Sequence, residues 1–303
     1  MTAPSAPSGL SAPTRRRALT VTVATAAAVV AVPAAAAASP AATTRPPRPR
    51  PLRHAHAHND YLHPRPLHDA LAHGFTSVEA DIFLVDGELL VAHDPAGLDP
   101  RRTLAGLYLE PLRALVRAGH GSVRPHHRPP LQLLVDIKAD GVAAYRELDR
   151  QLARYRPLFT RYHHGRVRPG AVTAVISGDR AARAPMEAQR TRLAFYDGRL
   201  DDLGTASPAS FTPLISANWT QTFGWLGAGP FPRAERNRLR TLVSTAHREG
   251  RRIRFWATPD LPGPEREAVW SELLAAGVDH LNTDDLAGLE HFLRARTDVA
   301  PTP

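Results

Sequence analysis

Apolar and polar residues alternate along three short stretches of the chain, and in each stretch the polar positions carry ionisable side chains. Residues 54–58 read His-Ala-His-Ala-His, residues 77–84 place two acids opposite an apolar face, and residues 131–138 place an acid and a lysine there. A period of two residues is typical of a β-strand, in which successive side chains point to opposite faces. The pattern therefore predicts three strands that each present ionisable groups on one face.

The same kind of strand recurs along the chain and is separated by helical patterns. Strands are predicted near 54–58, 77–84, 131–137, 171–177, 192–196, 213–218, 252–257 and 279–283, and helices near 66–73, 141–156, 181–190, 233–249, 264–276 and 285–295. Eight strands alternating with helices over roughly 240 residues predict a (β/α)8 TIM barrel of the α/β class, formed as a single domain. An open doubly wound sheet is the alternative, but no glycine-rich phosphate motif follows the first strand.

Ionisable residues lie at the carboxyl ends of the predicted strands, which is where TIM barrels carry their active sites. Glu79 and Asp81 share one face of a strand and repel each other unless a positive charge lies between them. Lys138 is the only lysine of the chain, so we expect it to serve where a compact ammonium group matters. An Asp-Gly pair at 86–87 predicts a tight turn, followed by a short strand that delivers His93.

The first 53 residues differ in composition from the rest and are predicted to lie outside the barrel. They contain seven arginines and no acid, so that removing them lowers the net charge from +9 to +2. An arginine triplet at 15–17 and an Ala/Val-rich run predict a twin-arginine-like signal peptide over residues 1–38. A Pro/Arg-rich linker is predicted for 39–53, the barrel domain for 54–296 and a disordered tail for 297–303.

The leader and the composition indicate where the protein works and which classes of function are excluded. We expect export to the cell exterior or the cell envelope with cleavage near Ser39, and an uncleaved membrane anchor is the alternative. The chain has no cysteine, which excludes disulfides, thiolate nucleophiles and cysteine-ligated zinc. Because the basic charge lies largely in the leader, no nucleic-acid partner is expected.

The order of the polar motifs resembles that of a known family. The motifs are His58-Asn59-Asp60-Tyr61, Ser77-Val78-Glu79-Ala80-Asp81, His93-Asp94, Asp136-Ile137-Lys138 and Leu281-Asn282-Thr283-Asp284-Asp285. Across residues 54–295 they resemble the glycerophosphodiester phosphodiesterase-like branch of the phospholipase C-like phosphodiesterases, and are most similar to the altered inheritance of mitochondria protein 6 group. This resemblance implies a TIM-barrel phosphodiesterase with one divalent cation, two catalytic histidines and a phosphodiester substrate.

The resemblance also implies roles for individual residues. His58 and His93 match the two catalytic histidines of the family, and Lys138 matches a lysine that lies near the phosphate. Trp256 matches an aromatic residue on the seventh strand and is expected to contact substrate. Asn218 follows a predicted strand and could shape the substrate pocket or cap a helix.

The implied metal site consists of oxygen donors alone. Glu79, Asp81 and Asp136 match the metal-binding acids of the family, and carboxylate oxygens favour Mg²⁺ or Ca²⁺ over zinc. Such a cation neutralises the nonbridging oxygens of a phosphodiester, while histidines exchange protons with the nucleophile and the leaving group. Asn59, a candidate substrate-binding residue, stands where typical members of the family have the phosphate-binding arginine of a His-Arg-Gly motif. That departure puts glycerol as the alcohol of the substrate in doubt.

Other functions remain open from the sequence. A metal-dependent amidohydrolase or histidinol-phosphatase-like enzyme would use His56 and His58 as zinc ligands. A catalytically silent binder of phosphorylated headgroups would have lost turnover with the missing arginine, and the same charged residues could also form a salt-bridge cluster that stabilises the barrel. The expected partner of the favoured phosphodiesterase is a phosphodiester or lipid headgroup, with peripheral contact to membrane lipid.

Overall fold

The computed structural model describes residues 49–125 and 127–297 of the 303-residue chain. The strands are β1 (Leu52–Ala57), β2 (Phe75–Val85), β3 (Glu88–Val91), β4 (Leu131–Ile137), β5 (Arg161–His163), β6 (Arg166–Arg168), β7 (Val172–Gly178), β8 (Thr191–Arg192), β9 (Ala194–Gly198), β10 (Leu214–Asn218), β11 (Arg252–Trp256) and β12 (His280–Thr283). In this part of the chain, parallel pairing runs through β1, β2, β4, β7, β9, β10, β11 and β12 and returns to β1. The eight strands form a closed barrel with helices between them, which confirms the predicted TIM barrel.

Helices follow most of the barrel strands. They are α1 (His68–Ala72), α2 (Glu110–Ala118), α3 (Gly141–Arg154), α4 (Arg183–Glu187), α5 (Trp219–Thr222), α6 (Arg233–Arg248), α7 (Pro264–Ala276) and α8 (Leu286–Thr297). The sequence analysis did not predict α2, which continues directly from a π-helical turn at Ala105–Leu109. None of the helices in the described ranges is long and apolar enough to cross a membrane.

The alternation on β2 and β4 places the predicted polar residues inside the barrel. Val78, Ala80 and Ile82 are fully buried in the main apolar cluster, so their neighbours on the strand face the other way. Asp81 and Asp136 are paired in register across β2 and β4. The two aspartates therefore lie side by side near the C-terminal ends of two neighbouring strands.

The hairpin after β2 has the predicted turn. Asp86 and Gly87 have φ angles of 48° and 82°. Positive φ at both central positions is the requirement of a type I′ turn, which Asp-Gly meets at little cost. The turn pairs β3 antiparallel to β2 and brings the chain back to His93, two residues beyond the end of β3.

Some boundaries differ from the sequence-based ones. The predicted strand 192–196 divides in two, since Arg192 belongs to β8, which pairs with β5 outside the barrel, while β9 begins at Ala194. β1 begins at Leu52, two residues before the predicted domain start, and α8 includes Thr297, which was assigned to the tail. The predicted signal peptide and the rest of the tail lie outside the described residues.

Candidate active site

Asp81 is the centre of a hydrogen-bonded cluster at the mouth of the barrel. Its side chain is fully buried, and its Oδ2 atom lies 2.7 Å from Tyr61 Oη, 2.7 Å from Lys138 Nζ and 3.0 Å from His93 Nδ1. These three groups come from the loop after β1, the end of β4 and the segment after β3. One buried carboxylate thus orients residues from three parts of the chain.

His58 and His93 are held in the same way by two different carboxylates. His58 Nδ1 lies 2.8 Å from Asp284 Oδ1, as His93 Nδ1 lies 3.0 Å from Asp81 Oδ2. With a proton on Nδ1, each ring donates to its carboxylate, and Nε2 of each has no hydrogen-bond partner among the described residues. The His58 side chain is 27% exposed and that of His93 is 61% exposed, so both rings are accessible from the mouth.

The environment of His58 favours its protonated form. Burial opposes the charge, but the hydrogen bond with Asp284 and the negative charges of Glu79 and Asp284 outweigh it and raise the pKa of His58. A histidine with a raised pKa stays protonated to higher pH and is suited to donate a proton.

Lys138 neutralises two of the three predicted metal ligands. Its Nζ atom lies 2.7 Å from Asp81 Oδ2 and 3.2 Å from Asp136 Oδ1. Burial, together with the charges of Glu79 and Asp81, raises the pKa of Asp136 despite the ammonium group. Burial also opposes the charge of Lys138, but the two aspartates outweigh this effect and raise its pKa. The compact ammonium therefore occupies a site of negative potential between two carboxylates.

Glu79 is paired with a buried arginine that the sequence analysis did not identify. Arg254 Nη1 lies 2.9 Å from Glu79 Oε2, and both side chains are at least nine-tenths buried. Arg254 outweighs the burial of Glu79 and holds the pKa of that carboxyl well below its usual range. The arginine also donates to Ser216 Oγ at 2.8 Å, which ties β11 to β10 inside the barrel.

His56 belongs to this inner layer and not to the mouth. It is fully buried, with Nδ1 2.7 Å from Ser77 Oγ and Nε2 2.7 Å from Arg254 Nη1. Burial and the arginine charge lower the pKa of His56 to about 4, so the ring is neutral at pH 7. Nε2 also lies 3.0 Å from Glu79 Oε2, so the ring contacts both members of the buried ion pair.

The carboxylate oxygens of Glu79, Asp81 and Asp136 are donors of the kind that a hard cation such as Mg²⁺ or Ca²⁺ prefers. Asp81 Oδ1 is buried and has no hydrogen-bond partner, which is an acceptor that a cation would satisfy. In residues 49–125 and 127–297, however, no group of three or more histidines and acids is arranged to hold a metal ion. Arg254 and Lys138 instead hold Glu79, Asp81 and Asp136 in ion pairs.

The predicted substrate-binding residues lie around the mouth with different local roles. Asn59 has a left-handed φ of 45°, which asparagine tolerates, and its side-chain amide lies 2.9 Å from Tyr61 Oη. Trp256 is half-buried at the end of β11, in register with Asn218 on β10. Asn218 uses its side chain to cap α5, accepting from Gln221 N at 3.2 Å.

Sequence reasoning did not give roles to Tyr61, Arg254 and Asp284. Tyr61 and Asp284 stand within quoted motifs, but their partners are distant in sequence and cannot be deduced from spacing. Arg254 had a usable signal, since alternation on β11 places it on the face opposite Ile253 and Phe255, which are both fully buried in the main apolar cluster.

Replacing Asp284 with asparagine should lower the pKa of His58, because it removes the charge that favours the imidazolium. Protein NMR titration of the His58 ring protons measures this change. Because the pKa of His58 is higher in the folded than in the unfolded protein, protonation of His58 stabilises the fold. This stabilisation is complete below the unfolded pKa of about 6.5 and is lost as pH rises through the folded pKa. The stability difference between the parent and Asp284→Asn should therefore be largest at mildly acidic pH, where the His58 imidazolium faces a carboxylate in the parent. The control is Asp69→Asn, which removes a negative charge from the ion pair with Arg65. An unchanged His58 titration in Asp284→Asn would show that Asp284 does not raise the pKa of His58.

Comparisons with known proteins agree with this architecture. The family model of the AIM6-like phosphodiesterase domain matches residues 50–197, and that of the glycerophosphoryl diester phosphodiesterase family matches residues 252–287. The altered inheritance of mitochondria protein 6 homolog of Arthroderma benhamiae is 29% identical over 252 residues, which cover 75% of this chain and 80% of that protein. The altered inheritance of mitochondria protein 6 of Eremothecium gossypii is 30% identical over 277 residues, which cover 77% and 68%.

A solved structure is also similar. The glycerophosphoryl diester phosphodiesterase of Parabacteroides distasonis has a TM-score of 0.49 and 12% identity, with coverage of 84% of this chain and 89% of that chain. The closed barrel and the matched domains define a phosphodiesterase-type protein. The chain belongs to the altered inheritance of mitochondria protein 6 family.

Proposed function

We propose that the protein hydrolyses phosphodiesters at the mouth of the barrel, with His58 and His93 as general acid and base. The observation that carries this proposal is their shared arrangement, in which Nδ1 lies against a carboxylate and Nε2 is left without a partner among the described residues. A carboxylate that fixes one ring nitrogen leaves the other to exchange protons with substrate.

The residues divide the proton transfers between them. His93 accepts the proton of the attacking hydroxyl as its oxygen bonds to phosphorus. His58, whose pKa is raised, gives its proton to the departing alkoxide as the phosphorus–oxygen bond breaks. Lys138 places a positive charge beside the site, where negative charge develops on the phosphate oxygens. An attacking water gives a phosphomonoester directly, and an attacking hydroxyl of the substrate gives a cyclic phosphate.

We further propose that Glu79, Asp81 and Asp136 hold one Mg²⁺ or Ca²⁺. The all-oxygen donor set and the unpartnered Asp81 Oδ1 support this assignment. When bound, the cation supplies charge neutralisation for the nonbridging phosphate oxygens. The ion pairs with Lys138 and Arg254 imply that cation binding competes with these side chains for the carboxylates.

Asp81→Asn should leave the barrel folded and weaken Mg²⁺ or Ca²⁺ affinity by at least about tenfold, because removing even a hydrogen-bond partner of a metal ligand costs about tenfold to a hundredfold. Isothermal titration calorimetry measures the affinity and circular dichroism the fold. Asp86→Asn is the matched control, because it removes the same charge from the turn at the other end of the hairpin. Equal cation affinity and turnover in the parent and Asp81→Asn would remove Asp81 from the ligand set.

A phospholipid-type substrate is the proposed class, and three exposed leucines support it. Leu62, Leu226 and Leu261 are 66%, 48% and 86% exposed. They follow β1, β10 and β11, which lie on one side of the barrel in the strand order β1-β12-β11-β10. Leu62 also lines a cavity of about 310 Å³ together with His93. Exposed apolar residues beside a polar site suit an amphiphilic substrate at a lipid surface, in keeping with the expected export.

Hydrolysis of bis-p-nitrophenyl phosphate during a metal titration separates the proposal from its rivals. Turnover that depends on magnesium or calcium supports the proposal, and dependence on zinc supports an amidohydrolase-like enzyme. Binding of a phosphorylated headgroup without turnover supports a silent binder. The zinc alternative is disfavoured because both ring nitrogens of His56 are engaged, Nδ1 with Ser77 Oγ and Nε2 with Arg254 Nη1, each at 2.7 Å.

A further inference from the structure

A large cavity lies beside the connection from β9 to β10. Residues 199–213 contain a 3-10 turn, Leu200–Asp202, and no α-helix. The cavity has a volume of about 810 Å³ and is bounded by this segment, by α4 and by β8. It shares no lining residue with the histidines, the lysine or the acids of the mouth. The missing helix therefore leaves room for a ligand of substantial size outside the proposed active site.

The lining is rich in arginine. Arg180, Arg183, Arg192 and Arg199 line the cavity, together with three carboxylates. Arg183 is paired with Asp202 at 2.7 Å, Arg180 approaches the same acid at 3.6 Å, and Arg199 is paired with Asp197 at 3.0 Å. Three of the four guanidinium groups thus have acidic partners.

Arg192 differs from the other three. The residue is only 4% exposed, and no carboxylate in the described part of the chain lies within salt-bridge distance of it. Its guanidinium lies 3.9 Å from the centre of the Tyr162 ring and donates to Ser210 O, while Nε has no hydrogen-bond partner. A buried cation without a counter-ion is costly, and an oxyanion in the cavity would supply that counter-ion.

We infer that this cavity binds a phosphate-bearing small molecule, with Arg192 as its anchor. The guanidinium can donate a charged hydrogen bond to a phosphate oxygen, and the Tyr162 and Phe211 rings hold it in place. Arg183 on α4 lines the same cavity. The site does not depend on the catalytic proposal, since none of its residues takes part in the proposed chemistry.

Binding of inorganic pyrophosphate to the full chain tests the inference by isothermal titration calorimetry. We expect saturable binding that Arg192→Met weakens about tenfold or more, because charged hydrogen bonds are lost. Lys138→Met, which removes the cation at the mouth, should leave this binding unchanged. Loss of binding in Lys138→Met with full binding in Arg192→Met would place the anion at the mouth and overturn the inference.

A second variant and a second ligand complete the binding experiment. If Arg192→Met fails to fold by circular dichroism, Arg183→Gln takes its place, with a weaker loss of pyrophosphate binding expected and unchanged binding counting against the site. Vesicles of phosphatidylcholine with and without phosphatidic acid distinguish a lipid headgroup from a soluble ligand. Binding to the acidic vesicles alone, lost in the arginine variant, supports a headgroup as the phosphate source. Absence of binding to both probes contradicts the inference.

Discussion

Replacing either His58 or His93 with alanine should lower phosphodiester turnover about a hundredfold or more, because each variant loses one of the two proton transfers. Cation affinity should change much less than turnover, since neither histidine belongs to the proposed ligand set, and it should change least in His58→Ala because only His93 is hydrogen-bonded to the proposed ligand Asp81. Steady-state kinetics on bis-p-nitrophenyl phosphate and calorimetric metal titration measure the two quantities. The double variant should lose much less than the product of the single losses, because residues that act as one unit are not additive.

The leaving group distinguishes the acid from the base. A substrate with an activated leaving group needs no proton on departure, so it should rescue His58→Ala more than His93→Ala. Circular dichroism of both variants controls for unfolding. If both variants keep full turnover, or lose it only through unfolding, the histidines are structural and the proposed proton transfers are wrong.

Replacing Arg254 with methionine should lower the free energy of unfolding by about 3–5 kcal/mol, because it leaves Glu79 as an uncompensated charge in the barrel interior. Urea denaturation measures this change. The control is Arg65→Ala, which breaks the surface pair with Asp69 and should cost at most about 1 kcal/mol.

The contrast between these two arginines tests the electrostatic account of the barrel interior. Arg254 and Glu79 are at least nine-tenths buried, whereas the Arg65 side chain is 70% exposed. Water screens the surface pair but not the interior one. Similar losses in the two variants would show that Glu79 is protonated or solvated in the folded protein, contrary to its lowered pKa.

The barrel and much of the mouth could be predicted from the sequence because they follow from local alternation. A period of two on β2 and β4 places Glu79, Asp81, Asp136 and Lys138 on the inner face, and parallel strands bring their ends together. The structure places Lys138 between the two aspartates. A local pattern was sufficient here because the partners lie on adjacent strands in matching register.

The remaining contacts could not be predicted because they join distant parts of the chain. Asp284 contacts His58 although 226 positions separate them in the sequence, and Arg254 contacts Glu79 across a separation of 175 positions. No spacing rule identifies such partners before the barrel closes. The arginine-lined cavity depends on a helix that is missing between β9 and β10, which a strand–helix rhythm does not reveal.

The central claim is that the mouth of this barrel cleaves a phosphodiester bond, and phosphorus-31 NMR tests it most directly. The purified protein is incubated with magnesium or calcium and a panel of glycerophosphodiesters, lysophospholipids and sphingomyelin. We predict that at least one substrate signal is replaced by that of a phosphomonoester or a cyclic phosphate, and that the change is nearly abolished in the His58→Ala/His93→Ala variant. Product formation at equal rates in the parent and this variant, or no product from any substrate with either metal, would contradict the claim.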